Sequence, residues 1–238
     1  VAAPPTRTGA YAIVGARIVD GTSATPIDNG VIIVRGGRIE AMGPATTVRV
    51  PAGLPQEDAR GKTIIPGLWD MHVHFEQVEW PAAQLAAGVT TARDVGNEFE
   101  LATGLRDAIA AGRVQGPRLL LAGLIDGAPD GLGTILAATP DEARSVVQRY
   151  HAAGHQQIKI YGSLLPALVP VVTAEAHQLG MAVTGHVPQG MNARQFVEAG
   201  ADQINHFGFV LPIVVPPPPP GQPRPPLDLT TTTAKDAI

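Results

Sequence analysis

His72 and His74 stand two residues apart near the end of Ile65-Pro-Gly-Leu-Trp-Asp-Met-His-Val-His74, an apolar stretch that reads as a strand. At that spacing both imidazoles leave the same face. Imidazole is the commonest metal ligand, although a His pair also arises by chance in a core. Lys159 lies within Ile158-Lys159-Ile160-Tyr161. Alternation puts Lys159 and Tyr161 on one face and the two isoleucines on the other. An ammonium on an inward strand position is costly to bury. It calls for an acid, a lowered pKa or a covalent change, unless the side chain snorkels to the rim. Carboxylation by carbon dioxide would turn the cation into an anionic two-oxygen ligand able to bridge metals. His186 ends Ala182-Val-Thr-Gly-His186, and His206 ends Gln203-Ile-Asn-His206. Each alone reads as a core histidine. Together the five residues put a His or Lys at the C-terminal ends of four strands, which is where barrel enzymes keep their active sites.

The elements needed to position them follow from the rhythm of the chain. Residues 11–63 read as short strands. Tyr11–Val19 ends at the turn pair Asp20-Gly21, and Val31–Val34 and Arg38–Met42 flank Gly36-Gly37, a two-residue hairpin signal. Thr47–Val50 is expected as a further strand. From residue 64 the pattern becomes alternating strand and helix, with six strands and five helices between them. Strands are expected at 64–75, 89–95, 118–122, 157–161, 182–187 and 203–207, and helices at 81–87, 98–111, 140–153, 169–179 and 192–199. Four helices run into glycine (Gly88, Gly154, Gly180, Gly200), the residue suited to the left-handed position after a helix. Thr139-Pro140-Asp141-Glu142 carries a helix-start signature. The expected fold class is α/β: residues 1–10 as a tail, 11–63 as a small β-sandwich-type domain, and 64–238 as a TIM-type (β/α) barrel portion. A closed barrel takes about 250 residues, so the sequence reads as a barrel cut after its sixth strand. Residues 215–226 hold eight prolines in twelve, expected as a stiff polyproline loop at the rim.

Composition excludes several classes. The 238 residues carry 17 Lys+Arg against 21 Asp+Glu, a net charge of −4, with no basic footprint for nucleic acid. Apolar residues are 45%, which suits a packed core, yet no run is long enough to span a membrane. There is no cysteine, so disulfides, thiolate metal sites and Cys nucleophiles are absent from this chain. The Val-Ala-Ala-Pro-Pro-Thr opening suits the mature start of an exported protein, slightly favoured over a cytoplasmic one.

With these residues in place the chain resembles the metal-dependent amidohydrolase superfamily, nearest to its imidazolonepropionase-like and prolidase-like branch. The resemblance runs from about Tyr11 to Phe209. It is carried by the His72/His74 stretch, Gly88-Val-Thr-Thr-Ala-Arg-Asp-Val-Gly96, Ile158-Lys-Ile-Tyr161, Thr184-Gly-His-Val-Pro188 and Ile204-Asn-His206. It implies two divalent ions, zinc expected. His72 and His74 would hold the first, a carboxylated Lys159 would bridge both, and His186 and His206 would hold the second. It also implies a general-base aspartate on an eighth strand, a position that Asp70, Asp94 and Asp126 do not match. The fourth-strand lysine, and the absence of a nearby Glu after His186, favour a binuclear hydrolase over a deaminase. Two bridged ions would acidify a bound water and polarise a scissile carbonyl. The implied reaction is hydrolysis of an amide or peptide-like C–N bond in a small molecule, with Tyr161 as a contact to a substrate carboxylate or oxyanion.

Two other readings stay open. One is a non-catalytic, incomplete barrel that forms homo-oligomers or is completed by a second chain. The other is a proline-rich interaction protein acting through residues 216–226. Outside the candidate site, His151, His155 and His177 are expected to face solvent. Arg93 and Asp94 are expected to form an ion pair inside the barrel, and Trp69 and Trp80 to pack near the site.

Overall fold

The computed structural model describes residues 9–22, 25–127, 135–214, 219 and 221–223. Most of the proline-rich run 215–226 and the end of the chain lie outside them. The described residues form two compact units, dividing between Leu68 and Trp69, and each is described by itself.

The first unit is one mixed five-stranded sheet in the order β3-β2-β1-β4, with β5 also on β1. Its strands are β1 (Tyr11–Ile18), β2 (Ile27–Arg35), β3 (Arg38–Pro44), β4 (Gln56–Asp58) and β5 (Thr63–Ile64). The β2–β3 hairpin turns at Gly36 and Gly37, both at positive φ (57° and 72°), as a two-residue turn between twisted strands requires. The run Val31–Ile33 is buried, with an apolar cluster on each face of the sheet. Val31 and Ile33 pack with Ala12, and Ile32 packs with Ala16 and Ile18. Thr47–Val50 is not a strand but turn and irregular chain. Thr47 instead bonds back to the Pro44 carbonyl through both its amide and its hydroxyl.

The second unit is a six-stranded sheet in strict chain order. The strands are β6 (Leu68–Val73), β7 (Val89–Asp94), β8 (Arg118–Ile125), β9 (Gln157–Ile160), β10 (Ala182–Gly185) and β11 (Gln203–Ile204). From β7 to β11 every pairing is parallel. The connections carry α1 (Trp80–Ala86), α2 (Phe99–Ala110), α3 (Pro140–Ala152), α4 (Val169–Gln178) and α5 (Ala193–Glu198). Helix starts are built as the sequence reads. Thr139 and Glu142 form a reciprocal capping box on α3, and Asn192 and Gln195 form another on α5. The glycines after all five helices, Gly112 included, are left-handed.

Ile158, Ile160, Val183 and Ile125 pack outward against Val147, Val172 and Phe196 of the helices. Gly123 leaves room for the Tyr150 ring, whose hydroxyl donates to the Leu124 carbonyl at 2.7 Å. The sheet is curled: His72 at the end of β6 and His206 just past β11 bring their rings to 4.7 Å. Among the described residues β6 and β11 do not pair with each other, and no helix is long and apolar enough to cross a membrane.

Candidate active site at the C-terminal ends of the strands

Parallel pairing places Leu124, Lys159, Thr184 and Gln203 side by side on the inner face of the curl. That face is polar. Arg93, almost fully buried, donates from Nε to the Met71 carbonyl at 2.8 Å and from Nη1 to Gln203 Oε1 at 2.6 Å and Gln157 Oε1 at 3.3 Å. Burial lowers its pKa below the ordinary arginine value. Arg93 and Asp94 do not form the expected ion pair. Successive strand residues face opposite ways, and Asp94 instead accepts from the amides of Phe75 and Gly96 and from Asn97 Nδ2.

Lys159 is fully buried. Its Nζ donates to Asn205 Oδ1 at 2.8 Å, and the same oxygen accepts from Thr184 Oγ1 at 2.9 Å. Among the described residues Lys159 has no carboxylate in ion-pair range. Burial, reinforced by the charge of Arg93, lowers its pKa to about 8. A measurable share of the amine is therefore the neutral, nucleophilic form near pH 7.

Four imidazoles lie at this end of the sheet, and the charge of Lys159 acts on three of them, His72, His186 and His206. His72 and His74 leave β6 on its inner face with ring centroids 5.3 Å apart. His186, in phase with Thr184 on β10, lies 4.9 Å from His206. Tyr161, in phase with Lys159, sets its ring 4.3 Å from that of His186. Burial, aided by the charge of Lys159, lowers the pKa of His72 and of His186 to about 4 and lowers that of His206. His72 and His186 thus carry free lone pairs at neutral pH. His74 Nδ1 lies 2.5 Å from the Gly96 carbonyl and donates to it, which leaves Nε2 for another partner. Metal-binding histidines are commonly oriented in this way. The donor chemistry fits divalent ions, although among the described residues no three His, Asp or Glu side chains are already grouped tightly enough to hold one.

All six residues singled out from the sequence meet at this end of the sheet. Asn205 and Arg93 also belong to it; Arg93 stands at a strand end from which it could line the pocket, whereas Asn205 has no spacing that would have marked it. Asp126 is buried beside the site but is tied to the connections after β8 and β9, accepting from the Ser163 hydroxyl and from the amides of Ser163 and Gly127.

No protein-family model matches the chain. Adenine deaminase 2 of Bradyrhizobium sp. (strain ORS 278) is 28% identical over 206 residues, 79% of this chain and 33% of that protein. A proposed prolidase from Bifidobacterium longum superposes with a TM-score of 0.72 at 29% identity, covering 88% of this chain and 58% of that one. A solved amidohydrolase shares the fold at a TM-score of 0.68 and 22% identity, covering 82% and 60%. The chain is thus similar in sequence to an adenine deaminase and shares its fold with these prolidase and amidohydrolase structures. It spans about a third of the curated relative's length and about three fifths of the solved structures'. The shared fold is the β/α half-barrel, and the cluster lies at the strand ends where amidohydrolase-type barrels carry chemistry.

Proposed function

We propose that this chain carries the metal-binding half of a hydrolase that cleaves an amide or peptide-like C–N bond in a small molecule. The observation that supports it most is the reach of the His206 ring to both His72 and His186 around the buried Lys159. His72 and His74 would hold one divalent ion, and His186 and His206 a second, with zinc the expected metal. Bound there, such ions supply Lewis acidity toward a carbonyl and acidify water.

The residues of the chain do the rest. The neutral amine of Lys159 would attack carbon dioxide: an N–C bond forms as one C=O π pair moves to oxygen, the nitrogen loses a proton to water, and the carbamate offers two oxygens sharing one negative charge. Asn205 and Thr184 fix the lysine, the Gly96 carbonyl fixes the tautomer of His74, and Tyr161 faces the substrate beside His186. Likeness to the Bifidobacterium longum protein supports dipeptide-like substrates. The likeness to adenine deaminase 2 supports a second reading, hydrolytic removal of an exocyclic amino group.

Metal analysis after incubation with zinc and bicarbonate, followed by parallel assays on Xaa-Pro dipeptides and adenine, tests both readings. About two ions per chain with dipeptide cleavage is the expected result. Absence of bound metal removes the proposal for this chain.

A further inference from the structure

Beyond His186 and His206 the chain forms a cavity of about 570 Å³ between the β10–α5 connection and the segment after β11. Its walls are apolar: Val187, Met191, Phe209, Pro212 and Ile213. Phe209 is shared with the histidine cluster, its ring 5.3 Å from that of His186 and 6.5 Å from that of His206. The cavity therefore shares a wall with the site. Among its described lining residues the single charged one is Arg194, exposed on α5 and in ion-pair range of no described carboxylate. The nearby polar side chain of Asn192 is occupied with its helix cap.

The geometry points to a substrate subsite that takes an apolar group in the cavity and a carboxylate on Arg194, so that the molecule held beside His186 is an amide bearing both. An apolar wall gives affinity without direction, and a lone guanidinium at its rim gives a directional, charge-assisted contact to a carboxylate. The inference rests on the hydrolase reading for the reacting bond, but binding in the cavity requires neither metal nor turnover.

The test is binding to the full chain in the presence of EDTA, read by methyl chemical shifts of Val187 and Ile213 and by calorimetry. The probes are 4-phenylbutyrate, 4-phenylbutanamide and butyrate. Phenylbutyrate is expected to bind about tenfold more tightly than either of the others, with shifts at both methyl positions. Arg194→Gln should abolish the preference for acid over amide, and Arg194→Lys should retain part of it. Arg194 is exposed, so an unchanged melting curve accompanies both variants. Equal binding of acid and amide, an unaltered preference in R194Q, or shifts confined to other residues would overturn the subsite. Failure of hydrolysis with the acid preference intact counts against the hydrolase reading alone.

Discussion

Asn205 continues the inward phase of β11, and His206 leaves it. Gln203 faces the interior beside Thr184, the Asn205 amide extends the ladder to the Gly185 carbonyl at 2.8 Å, and the Asn205 side chain takes the inward position against Lys159. Strict alternation would send His206 outward toward the helices. A backbone φ of 65° with ψ of 114° turns its ring back onto His72 and His186.

Such a conformation costs a non-glycine residue on the order of 1–3 kcal/mol. His206→Gly removes that strain, partly offset by the greater freedom of glycine in the unfolded chain. The variant is expected to be as stable as the parent, or more stable by about 1 kcal/mol, in urea unfolding of the metal-free protein. It should bind fewer zinc ions per chain. A clear loss of stability in the metal-free variant would mean that the ring, not the ligand role, accounts for the turn.

Lys159→Ala should remove metal binding more fully than any single histidine replacement, because under the proposal it is the group shared by both ions. Added short-chain carboxylic acids are expected to restore part of it. Elemental analysis checks both statements, and full loading in K159A would exclude the bridging role.

His155 should make the fold acid-sensitive. The residue is buried, stacked on Phe99 at 5.8 Å and edge-on to Tyr150 at 4.7 Å, and its Nδ1 has no hydrogen-bond partner. Burial, with the nearby charge of Arg106, lowers its pKa to about 4 from an ordinary 6.5. Between those values the unfolded chain binds a proton that the folded chain does not, so stability falls as pH drops from about 6.5 to 4. The loss is about 3 kcal/mol when complete. His155→Phe should flatten this part of the stability–pH curve, measured by urea unfolding at pH 7 and pH 4.5.

Gly123→Ala should destabilise the second unit by about 2 kcal/mol or more. Its new methyl would fall inside the Tyr150 ring, which the hydroxyl bond to Leu124 and complete burial hold in place. Thermal unfolding of G123A beside Tyr150→Ala, which removes the ring atoms that the methyl would meet, checks the cause, since the two changes together should cost less than their sum.

The parts of this molecule legible from sequence are those whose signal is local. Strand and helix order, the glycine stops, the Thr139 cap and the inward placement of His72, His74, Lys159 and His186 all follow from spacing and alternation. The misreadings arise where a distant element decides. His155 follows a helix in polar company, yet the turn at Gly154 tucks it beneath Phe99 of the preceding helix. His177, by contrast, does face solvent as expected, and there it meets Asp202 at 2.9 Å. Thr47–Val50 has strand-like residues but no strand beside it to pair with. His206 is expected at the site from its place at a strand end, and it faces the site only because its backbone breaks the strand's alternation.

The three-way hold of Arg93 has a consequence for assembly during synthesis. Each strand of the second unit is laid beside the one made just before it, so pairing can follow the ribosome. The curl, by contrast, brings Arg93 on the second of these strands to Gln203 on the sixth, a contact between strands made far apart in time. His72 and His74 therefore emerge early and wait, and His206 joins them once β11 has been made and drawn in. Zinc added to stalled nascent chains should be retained only once the residues around position 206 have cleared the exit tunnel.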